Sequence, residues 1–371
     1  MKIGYDAKRA FLNNTGLGNY SRWLVKAMAK YYPDNTYYLY TPQAKPNPRL
    51  GFLNDYQNIK TLTPQGKLIK AWWRSKGIVD DLLRDGINLY HGLSHELPLG
   101  ITQSGIKSVV TVHDLIFMRY PQQFGRISRK IYALKVEKAC TVADKIIAIS
   151  KKTKDDIVEL LQISPDKIEV IYQGCDPIFA VKQSEAQKQL VREKYYLPAK
   201  FLLNVGTIEE RKNLLLLVKA LKNVPDVPLV VVGKTTAYLK QVKQYINKNN
   251  LAGRVIFLDK VEFDDLPALY QMALVFIYPS RYEGFGIPVL EALYSGTPVV
   301  AATGSCLEEA GGEYSLYTNP DNEKELAEKI NRVLGNETLQ QQMITEGLKY
   351  TAKFDDEELA GQLMKLYKNI K

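Results

Sequence analysis

The sequence predicts an α/β protein with two doubly wound domains, each built on a parallel sheet with helices on both faces. The chain has 371 residues, 46% apolar and 24% charged, and at about 100 to 200 residues a domain this length indicates two domains. Short β-branched runs alternate with amphipathic stretches, which is the pattern of βα units and a parallel sheet. Several runs are apolar without alternation, as expected for strands buried on both faces.

The first half of the chain contains the first series of units. Its predicted strands are KIGYDA, TYYLYT, INLYH, KSVVTVHD, ADKIIAIS and IEVIYQG, and its predicted helices are LGNYSRWLVKAMAKYY and KKTKDDIVELL. The second series has the strands KFLLNVGT, PLVVVG, RVIFLD, LVFIYPS and TPVVAA and the helices RKNLLLLVKAL, TTAYLKQVKQYINKN, LPALYQMA and IPVLEALYSG. A Gln-rich polar stretch separates the two series, which places a domain boundary there.

These patterns divide the chain into four parts. The first domain is predicted at residues 1–176, a linker at 177–198, the second domain at 199–351 and a final helix at 352–371. In doubly wound domains a ligand binds beyond the carboxyl ends of the strands. The motifs that follow such ends are therefore the candidates for the site.

Positive charge is concentrated in the first half. The net charge is +10, and residues 1–170 hold 26 Lys and Arg against 15 Asp and Glu, a balance of +11. The basic segments are GRISRKIYALKVEK (125–138), SKKTKDD (150–156) and LIKAWWRSK (68–76) with Trp72 and Trp73. A basic face with aromatic anchors suits an anionic membrane surface or an acidic partner. Solvated helix faces around ordinary core tryptophans are the alternative, and no recognition motif predicts a nucleic-acid partner.

The sequence also indicates the cellular compartment in which the protein works. No stretch approaches the roughly 18 uncharged apolar residues of a membrane-spanning helix, and the start MKIGYDAKRA leads into a strand pattern rather than a signal peptide. Cys140, Cys175 and Cys306 are widely separated and odd in number, which argues against a disulfide framework. We expect a cytoplasmic protein, peripheral at most on the inner face of a membrane.

The stretch SRYEGFGIPVLEALYSG follows the predicted strand LVFIYPS and turns into a helix, since Pro288 suits a first helical turn. Glu283 then lies on the loop and Glu291 one turn into the helix. The glycines beside Glu283 let the backbone approach a ligand, and the amides of Gly286 to Leu290 are expected to be uncapped donors that favour phosphate.

Two carboxylates in such a place fit hydroxyl groups rather than phosphate. A nucleotide sugar offers two sets of hydroxyls, on the ribose and on the donor sugar, at opposite ends of one diphosphate. The alternative is that Glu283 is a solvated loop charge and that Glu291 is a first-turn partner of the helix dipole.

The segment GTIEERKN follows the strand FLLNV and precedes the helix NLLLLVKAL. Arg211 and Lys212 therefore project near a helix start at the carboxyl end of a strand, where they would form a diphosphate clamp that needs no metal. A pair of surface cations at a helix start is the alternative.

Two further motifs lie in the first half. TGLGNYS fails as a GxGxxG dinucleotide fingerprint because Ser21 replaces the last glycine, so its glycines are open to interpretation as a plain helix-entry turn. His113 follows the strand KSVVTV, where it either faces a ligand or is a core histidine. His91 and His95 are expected on a Gly/Ser loop without a third ligand of the zinc type, so no metal site is predicted.

Taken together, the motifs resemble those of family-4 retaining glycosyltransferases with the GT-B fold. PSRYEGFGIPVLEALYSGTPVVA (279–301) is similar to their E-x7-E signature, and VGTIEERKNLLLLVKAL (205–221) is similar to their GTxExRKN segment. The similarity extends to TGLGNYSR (15–22), VVTVHDLIF (109–117) and VIYQG (170–174), and so covers most of the chain.

The resemblance implies two Rossmann-like domains that face a central cleft, the first binding acceptor and the second binding a nucleotide sugar, with the final helix returning to the first domain. It implies that Glu291 binds the ribose, that Glu283 holds a donor-sugar hydroxyl, that two glycines of TGLGNYS close over the diphosphate, and that His113 contacts the donor sugar while Asp114 holds the loop. In part of the family an arginine stands where this chain has Thr207, and Arg211 is the candidate to supply that charge. The implied donor-binding residues are Gly16, Gly18, Thr207, Gly284, Phe285, Gly286, Ile287, Pro288 and Glu291.

The predicted function is a retaining, metal-independent transfer of a mannosyl- or glucosyl-type hexose from a nucleotide-diphosphate sugar to a glycan or lipid-linked acceptor, in polysaccharide or cell-envelope glycan synthesis. No cofactor is expected beyond the donor. The expected catalytic residues are His113, Arg211, Lys212 and Glu283. The alternatives are a sugar-nucleotide epimerase of similar fold, a non-catalytic nucleotide-sugar-binding protein, and a dinucleotide-dependent oxidoreductase, which the failed fingerprint disfavours.

Overall fold

The computed structural model describes residues 1–64 and 70–370. Residues 65–69, which include the first two residues of the basic segment LIKAWWRSK, and Lys371, the last residue of the predicted final helix, lie outside the described residues. None of the helices in the described ranges has both the length and the apolarity needed to span a bilayer.

The chain forms two compact units. The first contains Met1–Gly174 and Phe354–Lys371, and the second is Cys175–Lys353. Each unit has its own parallel sheet with helices around it, so the predicted two-domain α/β fold is confirmed.

The sheet of the first unit has seven parallel strands in the order β3-β2-β1-β4-β5-β6-β7. The strands are β1 (Lys2–Asp6), β2 (Thr36–Tyr40), β3 (Ile59–Leu62), β4 (Leu89–Gly92), β5 (Lys107–Val112), β6 (Lys145–Ala148) and β7 (Ile168–Val170). Its helices are α1 (Lys8–Leu12), α2 (Gly16–Tyr31), α3 (Lys70–Trp72), α4 (Ile78–Asp85), α5 (Ile116–Arg119), α6 (Arg126–Val142) and α7 (Lys151–Leu161).

The sheet of the second unit has six parallel strands in the order β10-β9-β8-β11-β12-β13. The strands are β8 (Leu202–Val205), β9 (Leu229–Val232), β10 (Val255–Leu258), β11 (Val275–Tyr278), β12 (Val299–Ala302) and β13 (Leu316–Thr318). Its helices are α8 (Glu185–Lys194), α9 (Leu214–Ala220), α10 (Tyr238–Lys248), α11 (Leu266–Met272), α12 (Ile287–Tyr294), α13 (Leu307–Gly311), α14 (Glu323–Leu334) and α15 (Glu337–Tyr350). Counted within the unit this order is 3-2-1-4-5-6, the order of the doubly wound Rossmann fold.

Local signals in the sequence explain where several helices begin. A Ser, Asn or Asp stands just before the helix, and its side chain accepts a hydrogen bond from a backbone amide of the first turn, which satisfies a donor that the helix itself leaves unpaired. The capping residues are Ser150 of α7, Ser184 of α8, Asn322 of α14, Asn336 of α15 and Asp355.

The predicted linker 177–198 is wrong, because this stretch is part of the second unit. It contains α8, and two hydrogen bonds join the stretch to α11 and to the residue just before α11. The Gln183 amide donates to Gln271 over 2.9 Å, and Lys194 donates to Asp265 over 2.7 Å. A polar helix that packs through hydrogen bonds looks like a linker when only composition is considered.

The last helix, α16 (Asp356–Asn369), belongs to the first unit. Trp23 of α2 donates its indole hydrogen to Asp356 over 2.6 Å. The hydroxyl of Tyr367 lies 2.7 Å from Nδ1 of His91 in β4. The end of the chain therefore completes the core of the unit in which the chain begins.

Candidate active site

The second unit carries a cluster of charged residues at the carboxyl edge of its sheet. β8 and β11 are neighbours at the point where successive strands stop being added on one side of the sheet and start being added on the other. Open α/β sheets bind ligands at such a point. Arg211 and Lys212 follow β8, and Glu283 follows β11. The amide of Arg281 donates to the carbonyl of Arg211 over 2.9 Å. The two predicted motifs are thus joined in space.

Four donors converge on one carboxylate oxygen of Glu283. Nη1 of Arg211 lies 2.9 Å and Nζ of Lys212 lies 3.4 Å from Oε1. The hydroxyls of Tyr278 and Ser280 donate to the same oxygen over 2.9 and 2.7 Å. Lys212 also donates to the Tyr278 hydroxyl over 2.6 Å. Glu283 is therefore a largely buried carboxylate held by partners, and the alternative of a solvated loop charge is wrong.

These neighbours keep Glu283 ionised. Burial alone favours the neutral carboxyl, but Lys212, Arg211 and the two hydroxyls outweigh it and lower the pKa of Glu283 to about 2. At neutral pH the side chain only accepts hydrogen bonds. It suits a ligand that presents hydroxyl groups, and it does not suit the role of a general acid.

Arg211 and Lys212 are not exposed cations at a helix start. They lie in the 3₁₀ turn Glu210–Lys212, and α9 begins after it. Arg211 is buried and pairs with both Glu209 and Glu283. Burial lowers its pKa and the two carboxylates raise it, and the balance lies above the ordinary value. The diphosphate clamp stays a prediction. Its two cations, Arg211 and Lys212, are already held in place by carboxylates.

Gly286 is required by the backbone at the entry to α12. Its φ is +107°, in the left-handed region that favours glycine. A Cβ atom there would lie 2.7 Å from Cδ2 of Leu307. Pro288 occupies the first turn of α12, as predicted. Among the other predicted donor-binding residues, the loop after β8 contains Thr207, and the loop after β11 contains Gly284 and Phe285.

The expected run of uncapped amides from Gly286 to Leu290 is wrong for three of its members. The amides of Val289 and Leu290 donate to the carbonyl of Gly286 over 2.9 and 3.4 Å. Pro288 has no amide hydrogen. Of the predicted amide donors only those of Gly286 and Ile287 remain, because the Val289 and Leu290 amides bond within the first turn of the helix.

Glu291 is buried on α12 beyond its first turn, so it is not a first-turn partner of the helix dipole. The hydroxyl of Tyr270, on α11, donates to its Oε2 over 2.8 Å. Burial, together with the Glu291 charge, raises the pKa of Tyr270 well above its ordinary value. The phenol therefore keeps its proton and fixes the carboxylate.

In the first unit, Gly16 and Gly18 belong to the first turn of α2, not to a loop. The Asn13 side chain accepts from the amides of Thr15 and Gly18 over 2.9 and 3.1 Å. A Cβ at Gly18 would lie 1.8 Å from the Asn13 carbonyl oxygen, whereas a Cβ at Gly16 would have no atom within 4 Å. Gly18 is thus needed by the turn itself. The predicted contact of both glycines with a diphosphate stays a prediction.

His113 lies at the carboxyl end of β5, as predicted, and is buried in a network of histidines. Its Nε2 lies 2.8 Å from the carbonyl of Leu93, so this nitrogen carries the proton. Its amide donates to Nε2 of His95 over 2.6 Å. Burial, then His95, lowers the pKa of His113 to about 3. The ring is neutral at physiological pH, and its contact with a donor sugar stays a prediction. Asp114 accepts from the Ile116 amide over 3.0 Å.

The described residues contain no group of three His, Cys, Asp or Glu side chains suited to a metal ion. His91 is inside β4 rather than on a loop, and its Nε2 lies 2.8 Å from the hydroxyl of Thr111. Burial lowers the pKa of His91 to about 3. Its ring is therefore part of the core.

A pocket of about 230 Å³ lies in the first unit at the point where its strand order reverses, next to the end of β1. Arg74 spans its polar side. The Nε atom of Arg74 donates to Asp6 over 3.1 Å, and Nη1 pairs with Glu96. Arg74 and Trp73 therefore do not contribute to a basic face, because Arg74 is paired with Asp6 and Glu96 and Trp73 is buried in the core. The remaining walls are formed by Ser75, Tyr90, Leu97, Pro98, Leu99, Lys135, Lys138, Ala139 and Val142.

Sequence reasoning missed the residues that hold the two glutamates. Tyr278 and Ser280 stand at the end of the predicted strand LVFIYPS, and their position at the carboxyl end of a strand close to Glu283 is a signal that could have identified them. Tyr270 gave no comparable signal, because a tyrosine within LPALYQM is typical of a packed helix. Its partner on α12 is known only once both helices are placed.

The two Rossmann-like units, with charged loops at the carboxyl edge of the second sheet, fit the GT-B fold. Solved structures agree with this architecture. Sucrose-phosphate synthase from Thermosynechococcus elongatus matches with a TM-score of 0.79 at 20% identity, covering 100% of this chain and 99% of that one. HepE from Anabaena, solved with UDP and glucose, matches with a TM-score of 0.76 at 20% identity and 99% coverage of both chains.

Sequence comparisons identify the family. The model for Glycosyltransferase Family 4 matches residues 15–179, and the model for Glycosyl transferases group 1 matches residues 181–350. O-antigen chain mannosyltransferase B of Escherichia coli is 26% identical over 99% of this chain and 100% of its own length. O-antigen chain mannosyltransferase RfbU of Salmonella typhimurium is 30% identical over 64% of this chain and 63% of its own. The chain belongs to the family-4 glycosyltransferases.

Proposed function

We propose that the protein is a retaining hexosyltransferase that moves a mannosyl or glucosyl group from a nucleotide-diphosphate sugar to a glycan or lipid-linked acceptor in polysaccharide synthesis of the O-antigen type. The observation that carries this proposal is the ionised Glu283 held beside Arg211 and Lys212. Mannose is the first candidate, because the two relatives above are named mannosyltransferases.

The donor is bound at its two ends by the two glutamates. Glu283 accepts a hydrogen bond from a hydroxyl of the sugar. Four donors already orient this charged carboxylate, which supports the role. Glu291 accepts the ribose hydroxyls from a carboxylate that Tyr270 holds in position. A donor that lacks either set of hydroxyls loses the corresponding charge-assisted bonds.

The leaving diphosphate is stabilised by positive charge. When the bond between the anomeric carbon and the phosphate oxygen breaks, the electron pair goes to the diphosphate, and Arg211 and Lys212 balance the growing charge. The acceptor oxygen attacks the same face, and its proton passes to the departing phosphate oxygen. The anomeric configuration is retained, no protein base is needed, and the two cations take the place of a metal ion.

The first unit binds the acceptor. The pocket between Asp6, Glu96 and α6 supports this assignment, because carboxylates beside apolar walls suit the hydroxyls and the ring faces of a sugar. The protein works on the cytoplasmic side, where the positive charge of its first half favours an anionic membrane surface as a partner.

The first test of this function is a thermal-shift screen with GDP-mannose, UDP-glucose and ADP-glucose, followed by transfer to a glycan acceptor. One donor should raise the melting temperature, and the NMR coupling at the anomeric carbon of the product should match that of the donor. An inverted product would contradict the retaining mechanism. Conversion of the donor to its epimer without an acceptor would favour an epimerase instead.

A further inference from the structure

One segment of the first unit leaves four large apolar side chains in water. Phe124, Ile127, Ile131 and Leu134 have exposed fractions of 41, 78, 53 and 60%. The last three lie on α6 at intervals of four and three residues. That spacing aligns them in one stripe along the helix.

The fold of α6 does not need this stripe. The opposite face of the helix packs Val136, Ala139 and Cys140 into a core cluster of the first unit, where all three are buried. The helix is therefore apolar on two opposite faces, one of which faces solvent. Contiguous exposed apolar residues of this kind mark surfaces that meet a partner or a membrane.

Positive charge lies beside the stripe. The segment 124–138 contains five Lys and Arg residues and one Glu, a net charge of +4. Arg126 and Lys130 lie one helical turn apart along one side of the stripe, whereas Lys138, one turn after Leu134, lines the pocket described above. Lys135 lies 3.6 Å from Glu96 of its own unit. The surface thus combines an apolar stripe with cations along one side.

We propose that α6, with Phe124 at its entry, is the surface that docks on an anionic lipid bilayer. The apolar side chains enter the boundary between headgroups and acyl chains while the cations lie over lipid phosphates. The proposal rests on the part of the proposed function that gives the first unit an anionic membrane as a partner, and it names the surface. A bilayer is favoured because the net charge of +4 on segment 124–138 complements the negative charge of an anionic lipid surface.

This docking would also position the acceptor. Lys135, Lys138, Ala139 and Val142, all on α6, line the pocket assigned to the acceptor. The helix therefore has one face at the membrane and another at the pocket wall. A sugar carried on a lipid would reach the pocket without leaving the bilayer surface.

The test is flotation of the full chain with phosphatidylcholine vesicles, with and without phosphatidylglycerol. We expect binding only to the anionic vesicles, with loss of binding as salt rises from about 0.1 to 0.5 M. The double variant Ile131→Ser/Leu134→Ser should lower the partition coefficient at least about tenfold, because two apolar insertions are lost. Leu190→Ser, at a position 61% exposed on α8 of the second unit, is the matched control and should bind like the parent.

The outcomes separate the possible failures. If the parent protein does not bind anionic vesicles, the membrane partner is wrong, and so is this surface. If the double variant binds as well as the parent, only the assignment to α6 is wrong. A concentration-dependent dimer that the double variant abolishes, without vesicle binding, would assign the stripe to a protein contact and overturn the proposal. Donor-induced thermal shifts in the same samples test the transferase site separately.

Discussion

Replacing Glu291 with Ala tests the ribose assignment directly. The carboxylate is buried on α12 and held by the Tyr270 hydroxyl at 2.8 Å, so it needs little reorganisation to accept ribose hydroxyls. A hydrogen bond to a charged group contributes about 1.5–3 kcal/mol. Glu291→Ala should therefore weaken the binding of a nucleoside diphosphate by about 10- to 150-fold, at 1.4 kcal/mol for each tenfold change.

The same substitution has a cost in stability that must be separated from its effect on binding. It removes the acceptor that Tyr270 uses in the core, and a buried donor that loses its partner costs about 1–3 kcal/mol. Tyr270→Phe is the matched control, because it removes the donor together with the bond and keeps the carboxylate. This variant should keep nucleotide affinity within about threefold, while Glu291→Ala should lower both affinity and melting temperature.

Calorimetric titration with a nucleoside diphosphate and its 2′,3′-dideoxy form distinguishes a ribose contact from a general loss of structure. The parent protein and Tyr270→Phe should prefer the ribose form, and Glu291→Ala should bind the two forms alike. If Glu291→Ala keeps the parent's affinity or still prefers the ribose form, Glu291 does not bind the ribose.

Three further predictions concern other parts of the site. Lys212→Ala should lower kcat by about 10²-fold or more in a steady-state transfer assay, because charge next to the leaving diphosphate is lost; EDTA should not slow the parent enzyme, and a loss that Mg²⁺ restores would contradict the metal-free mechanism. Gly18→Ala should destabilise the first unit by about 1–3 kcal/mol, since its Cβ would lie 1.8 Å from the Asn13 carbonyl oxygen, whereas Gly16→Ala should be neutral or slightly stabilising; equal urea midpoints for the two would refute this. The Glu283 pKa of about 2, below the ordinary 4.5, means that the carboxylate stabilises the fold fully above about pH 4.5 and that this contribution is lost as pH falls to about 2; Glu283→Gln should flatten the stability curve in that window, and an unchanged slope would argue against the buried ion cluster.

The pattern of the sequence was sufficient for the two-domain fold and for most strands. Runs such as KSVVTV and PLVVVG are mainly apolar because helices cover both faces of a parallel sheet. Such buried strands can therefore be recognised from their residue types alone. The short strands β3 and β13 were missed. β3 reads IKTL, half polar, and β13 has only three residues, so neither carries a periodic signal long enough to recognise.

The placement of the charged motifs at strand ends was also available from the sequence. Arg211, Lys212 and Glu283 each follow an apolar strand, and parallel strands bring their carboxyl ends to one edge. The ion pairs between these residues could not be predicted, because the sequence pattern does not show that β8 and β11 are neighbours in the sheet. The resulting ion cluster contradicts the alternative that Arg211 and Lys212 are a pair of surface cations at a helix start.

The sequence by itself determined most of the strands, the presence of two doubly wound units and the motif positions, because these depend on periodicity and on turn residues close together in the chain. Only the tertiary structure decided the Glu291–Tyr270 bond, the neutral state of His113, the membership of 177–198 in the second unit and the exposure of the stripe on α6. Each of these depends on contacts between residues far apart in sequence and on how much water the packing excludes. Local pattern therefore predicts which groups reach the site, and packing sets their partners and charge states.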